Sequence, residues 1–222
     1  MTLLGIDTST PAAAACVLRS DGEVFEVAPP PERLARAPAH ASELMPAVAE
    51  SMRRAGVGWG ELDAIAVGVG PGTFTGLRIG VATARALAGA NGLPLRPVSS
   101  LSALAAGIEA PLRLPLIDAR RGEVFGALFD GGEPLWQPFA AAPEAVVDRL
   151  REGGFRPLAA GDGSLRFRGM LEEAGIQVEP GDSHAHVVRA LHVCRLAEGM
   201  PGEPPEAVLP DYLREPDAKP QQ

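Results

Sequence analysis

Three stretches of this sequence carry residue types that could do chemistry. The first is Gly70-Pro71-Gly72-Thr73-Phe74-Thr75-Gly76, set between an apolar run and a helix-forming one. A glycine-rich turn entering a helix exposes amide hydrogens at the positive end of the helix dipole, which together can hold an anion. The second is Asp7, followed by Thr8, Ser9 and Thr10, a carboxylate with neighbouring hydroxyls of the kind that surrounds a metal-bound phosphate. The third is Asp118, which ends a second apolar run as Asp7 ends the first. Two such aspartates facing each other across a cleft would suit an ATP site. An aspartate at a strand end also serves as a plain turn former, and a glycine-rich connection can bind nothing at all.

Generic nucleotide motifs do not account for the turn. No lysine follows Gly76, as the mononucleotide loop would require, and the dinucleotide pattern with its later acid is missing. Arg78 lies close to the start of the helix, where the dipole disfavours a cation unless an anion offsets it. Gly76, Gly80, Ala84 and Ala88 repeat every four residues and give that helix a face almost without side chains. Such a face suits close internal packing or a subunit interface. His184 and His186 would point to different sides of a helix and His192 lies further on, so they make no metal set, and His40 is at best half of one. Cys16 and Cys194 lack metal spacing and read as buried, reduced thiols.

The elements that would position these groups follow from periodicity and punctuation. Short strands over residues 3–7, 13–18 and 24–27 form a meander, and a helix over residues 42–55 carries Leu44, Val48 and Met52 on one face before Gly56 ends it. Pro46 is expected in or near its first turn, where a missing amide hydrogen is tolerated. A fully apolar strand over 64–69 predicts a parallel or mixed central sheet. After the glycine turn come a helix over 77–90, a strand over 95–98 and a short helix capped by Ser99 or Ser100. Strands over 114–118, 124–129 and 134–139 then repeat the opening meander. Helices over 143–151, 165–174 and 184–198 alternate with strands over 158–160 and 176–178. The expected division is residues 1–105 and 106–222, the second half ending in a partly disordered tail with Tyr212 and Leu213 tacking it to the body.

Composition narrows the partners. The net charge is −8 and the only lysine is Lys219, so the chain lacks the basic stripe of a protein that grips nucleic-acid phosphates alone. No basic segment leads into an apolar one at the N-terminus, and no apolar run is long enough to span a bilayer. The reading is cytoplasmic, without a membrane.

Six segments together resemble one family. IDTST near the N-terminus, HASELMP at 40–46, VGVGPGTFTGLRIGVATARALA at 67–88, VSSLSALA at 98–105, IDARRGEVF at 117–125 and PDYLR at 210–214 are similar to the bacterial TsaB family, also known as YeaZ. The resemblance covers nearly the whole chain. It implies an α/β, actin/Hsp70-like (ASKHA) duplicated ribonuclease H-like fold, in two subdomains with mixed sheets. It also implies a role in forming N6-threonylcarbamoyladenosine in tRNAs that read codons beginning with A. TsaB proteins support that reaction without catalysing it, as partners of the catalytic subunit TsaD, with the small ATPase TsaE joining the assembly and tRNA reached through the complex.

The catalytic paralogues hold a metal through HxxxH. Here His40 matches the second histidine, but Arg36 stands where the first would be, so the pair is broken. The expectation is therefore no catalytic residue, no metal and no cofactor. Asp7, Thr8, Ser9, Gly72, Thr73 and Asp118 form a vestigial phosphate region. Leu44, Val48, Met52, Gly76, Arg78, Gly80, Ala84 and Ala88 face TsaD, or a second copy when TsaD is absent. A stand-alone ATP-dependent kinase or hydrolase and a glycoprotease-like metallopeptidase are the alternatives.

Overall fold

A computed structural model describes residues 1–214; the expected solvated tail, residues 215–222, lies outside them. Strands β1 (Leu3–Asp7), β2 (Ala14–Leu18) and β3 (Val24–Val27) make the predicted antiparallel meander, and β4 (Ala64–Gly70) and β5 (Leu95–Ser99) add to it in parallel. The order across this sheet is β3-β2-β1-β4-β5. The second sheet holds β6 (Leu112–Arg120), β7 (Glu123–Asp130), β8 (Glu133–Ala141), β9 (Leu158–Ala160) and β10 (Gln177–Val178). Its order, β10-β9-β6-β7-β8, is the first order read from the other side, with β6 standing for β1 and β9 for β4. Each sheet thus pairs an antiparallel meander with parallel crossover strands, which is the duplication that the two strand-end aspartates suggested.

Helices α1 (His40–Ala55) and α2 (Phe74–Asn91) cover the outer face of the first sheet, burying Leu4, Ile6, Ile65 and Val67 under Leu44, Val48, Val81 and Ala84. Both helices end on a glycine in the left-handed region, Gly56 at φ 65° and Gly92 at φ 65°, as residues without a Cβ allow. Pro46 lies further in than expected. With His40 as the first helical residue it falls in the second turn, so the Ser42 carbonyl receives no amide hydrogen from it. The outer face of the second sheet is covered by α4 (Pro143–Glu152) and α6 (Arg168–Glu173).

Between the sheets sit α3 (Ser100–Ala105) and α7 (Ala190–Ala197). Ser99 caps α3 by accepting the Ser102 amide hydrogen. Helix α7 comes late in the chain yet covers β1 and β2, and Gly5 makes this possible, because a Cβ there would lie 2.5 Å from the Cys194 sulfur. Glu26 of β3 receives the Leu191 amide at 3.0 Å and pairs with Arg189, fixing the start of α7. Cys16 and Cys194 are buried and free, as the sequence indicates.

Two expected helices are broken. Residues 162–173 form α5 (Asp162–Arg166) and α6, separated at Phe167, whose φ of −109° and ψ of 21° leave the helical region while its ring packs into the outer core. Residues 184–186 form a single 3-10 turn, and extended backbone at Val187 and Arg189 precedes α7. Among the described residues no helix is long and apolar enough to cross a membrane.

Candidate functional site

Strand β4 is buried between β1 and β5 and leaves the sheet at Gly70, whose φ of 127° suits glycine. The turn folds back onto the loop after β1. The Thr73 amide donates to the Ser9 carbonyl at 2.7 Å, and a Cβ on Gly72 would lie 2.5 Å from that same oxygen. Further along α2, a Cβ on Gly76 would lie 2.1 Å from the Thr8 carbonyl oxygen and one on Gly80 2.2 Å from the Thr8 hydroxyl. Thr8 in turn donates its hydroxyl to the Gly76 carbonyl at 2.7 Å. Gly76 and Gly80 therefore let α2 clasp the loop at Thr8, while Ala84 and Ala88 further along the same face pack in the core under the helix.

That clasp decides what Asp7 can do. Its carboxylate accepts from the Ser9 amide at 2.8 Å, the Ser9 hydroxyl at 2.6 Å and the Ser100 hydroxyl at 2.9 Å, and it is buried. Burial raises its pKa, and the hydrogen bonds from Ser9 and Ser100 only partly oppose this. Asp7, Thr8 and Ser9 were expected around a phosphate; they are instead turned inward, with their polar groups used by the chain itself. His40 is buried too, its Nε2 hydrogen donating to the Thr10 carbonyl at 2.7 Å, but unlike Asp7 it also lines the cleft bordered by Asp118.

Asp118 behaves differently. It lines a cleft of about 500 Å³ together with Gly72 and Thr73, so three of the six expected phosphate-region residues share that space and three do not. One wall is residues 72–76, the opposite wall residues 118–121, and residues 211–214 run across. The Asp118 carboxylate is held by Arg166 at 2.8 Å and Arg120 at 3.1 Å. Arg120 and Arg121 both have positive φ, 65° and 55°, and with Gly122 they make the tight turn into β7. Behind Asp118, Asp162 accepts its backbone amide at 3.0 Å, and burial, reinforced by the charge of Asp118, pushes the Asp162 pKa up to about 6. Among the described residues no three His, Cys, Asp or Glu side chains converge as a metal site.

Comparison with known proteins gives the chain a family. The family model described as TsaD, tRNA N6-adenosine threonylcarbamoyltransferase, matches residues 30–148. The tRNA threonylcarbamoyladenosine biosynthesis protein TsaB of Escherichia coli is 31% identical over 194 residues, covering 82% of this chain and 80% of that protein. The chain belongs to the TsaB (YeaZ) family. YeaZ from Pseudomonas aeruginosa superposes with a TM-score of 0.73 at 28% identity, over 96% of this chain and 99% of that one. An uncharacterized Mycobacterium leprae protein is 35% identical over 220 residues, 98% of this chain but only 56% of its own length. The ethanolamine utilization protein EutJ of Carboxydothermus hydrogenoformans, at 14% identity and a TM-score of 0.53 over 87% and 89% of the two chains, shares the fold alone. The fold is thus a duplicated actin-like one.

In this TsaB-family chain the surface expected to meet a partner is displaced. Leu44, Val48, Met52, Gly76, Gly80, Ala84 and Ala88 all lie buried under α1 and α2, and of the eight residues only Arg78 is exposed. A four-residue spacing selects one face of a helix, but that face also fits the chain's own sheet, and here it does. The outward faces carry Met45, 42% exposed, and Phe74, 37% exposed, with exposed Ala49, Ala82 and Ala86. The sequence reading also missed the cluster at the start of α2. Arg78 lies 3.7 Å over the Phe74 ring and donates to the Tyr212 hydroxyl at 3.0 Å, while the Tyr212 ring stacks against Phe74 at 5.1 Å. The segment PDYLR contained that signal, though not its destination.

Proposed function

We propose that this chain is a non-catalytic scaffold subunit in the formation of N6-threonylcarbamoyladenosine in tRNA, working in the cytoplasm as the partner of a TsaD-family enzyme. The observation that carries the reading is the outward surface of α1 and α2, where apolar Met45 and Phe74 flank the small residues Ala49, Ala82 and Ala86. Exposed apolar and aromatic side chains beside small ones let another helix approach closely and bury what water now touches. Family membership supports the same reading, since the E. coli relative bears a tRNA threonylcarbamoyladenosine biosynthesis name. So does the inward turn of Asp7, which removes one of the two carboxylates a stand-alone ATP-dependent enzyme would use. TsaE completes the assembly, and tRNA is met through the complex.

The test is co-purification with a TsaD-family partner and reconstitution of tRNA modification with and without this chain. Ala82→Arg and Ala86→Arg place a guanidinium on the outward face and should abolish both co-purification and modification while leaving the fold intact. Unchanged binding by either variant sinks this surface. The same face makes a homodimer when the partner is absent, and light scattering at matched concentrations reads that state in the same variants.

A further inference from the structure

Residues 209–214 cross from one lobe of the molecule to the other. Upstream the chain is firmly held. Glu203 and Leu95 exchange two backbone hydrogen bonds, at 2.9 and 2.7 Å, and Val208 is buried in the core beneath α1 and α2. Leu209 is then 63% exposed, and the ties that follow fall on four consecutive residues. The Asp211 amide donates to the Val69 carbonyl at 2.7 Å, at the end of β4. Tyr212 joins Phe74 and Arg78 on α2. Leu213 packs against the core between the sheets, and Arg214 pairs with Glu123 at 2.6 Å and donates to the Ala119 carbonyl at 3.2 Å, both on the β6–β7 hairpin.

We propose that residues 209–214 are a latch that holds the cleft between the two lobes closed and that is released as one unit. Two features beyond these contacts carry this. Gly70 is fitted to the latch, because a Cβ on it would lie 2.6 Å from the Asp211 carbonyl oxygen, so the glycine turn is shaped to receive this segment. The latch also forms the third wall of the cleft, and its two ends are tied to the two opposing walls. Each tie is weak by itself. The Arg214–Glu123 pair is 33% and 39% exposed, and the Tyr212 and Phe74 rings are partly in water. Because the ties sit on adjacent residues, each raises the effective concentration of the next, so loss of one loosens all. The latch shares Phe74 with the docking surface on α1 and α2, but it is a property of the isolated chain, so its test is decided without a partner.

Amide hydrogen exchange on the full-length chain tests it, read at the Asp211 amide in the first lobe while the contact is cut in the second. Arg214→Ala should speed Asp211 exchange about tenfold or more, with the amides of β1 unchanged. An Asp211 rate within about twofold of the unmodified chain overturns the latch, since the ties would then be independent. Should Arg214→Ala loosen β1 as well, Glu123→Gln removes the same ion pair from the hairpin side, and the same two results decide it.

Discussion

Asp7 and Asp118 lie near the ends of corresponding strands in two copies of one sheet, Asp7 as the last residue of β1 and Asp118 two residues before the end of β6, and each strand pairs antiparallel with its successor and parallel with the crossover strand. They have nevertheless become different groups. After Asp7 come Thr8, Ser9 and Thr10, short side chains whose hydroxyls can turn inward, so the loop sinks under α2 and the carboxylate is held by the Ser9 amide and by the Ser9 and Ser100 hydroxyls, with no ion pair to an arginine among the described residues. After Asp118 come Ala119, Arg120 and Arg121, and guanidinium groups cannot be buried cheaply without paired anions. That loop stays at the cleft, and Asp118 becomes the anion for Arg120 and Arg166. The lesson is that in a duplicated fold the residues that follow such an aspartate decide whether its carboxylate supports the core or faces an opening.

The contrast is broken most severely at Asp7. Asp7→Ala orphans the buried Ser9 amide and leaves two hydroxyls to find other acceptors, a loss of about 3 kcal/mol in urea unfolding. Asp7→Asn should stay within about 1 kcal/mol of the unmodified chain, because the Ser100 hydroxyl can reverse and accept from the new amide nitrogen. Equal losses from both substitutions would mean that the charge itself is needed, contrary to a purely internal role.

Much of this frame is legible in the sequence, and the illegible part has identifiable physical causes. The β1–β5 and α1–α2 pattern follows from apolar periodicity and from glycines at helix ends, which are local signals. The break at Phe167 carries neither glycine nor proline and is set by what its ring packs against, a tertiary effect. Spacing identified the stripe from Gly76 to Ala88, but which neighbour the stripe meets depends on Thr8, far away in sequence. The Arg78–Tyr212 contact spans 134 residues, so the sequence marks Tyr212 as an anchor for the tail but not the residues that it meets. Asp162, which proved to be the strained neighbour of Asp118, offered only a Gly-Asp-Gly that reads as a turn.

Asp162 supplies the second test. Its folded pKa of about 6 stands above the ordinary 3.8, so the folded chain binds this proton more tightly than the unfolded one. The stability it contributes is fully present below pH 3.8 and is lost as pH rises through about 6. Asp162→Asn keeps an oxygen for the Asp118 amide and removes the charge. The variant should therefore be more stable than the unmodified chain at pH 7, by up to about 3 kcal/mol, and equal to it near pH 4. Parallel stability curves across that range would show that the carboxyl is not strained.

Asp118→Ala should have the smallest effect, and its smallness is informative. Arg120 and Arg166 are 51% and 45% exposed, so on losing their anion they return to water instead of being stranded. The remaining loss is the hydrogen bond from the Arg120 amide, which helps to hold that residue at positive φ, and about 1 kcal/mol covers it. A second consequence isolates the electrostatic link between the two carboxyls. The charge of Asp118 helps to raise the pKa of Asp162, while its backbone amide lowers it, and the substitution removes the first and keeps the second. The Asp162 carboxyl should then titrate lower in the variant, as carboxyl-carbon NMR would record. A titration that does not move would assign the whole rise to burial, and the second lobe's two aspartates would be electrostatically independent of each other.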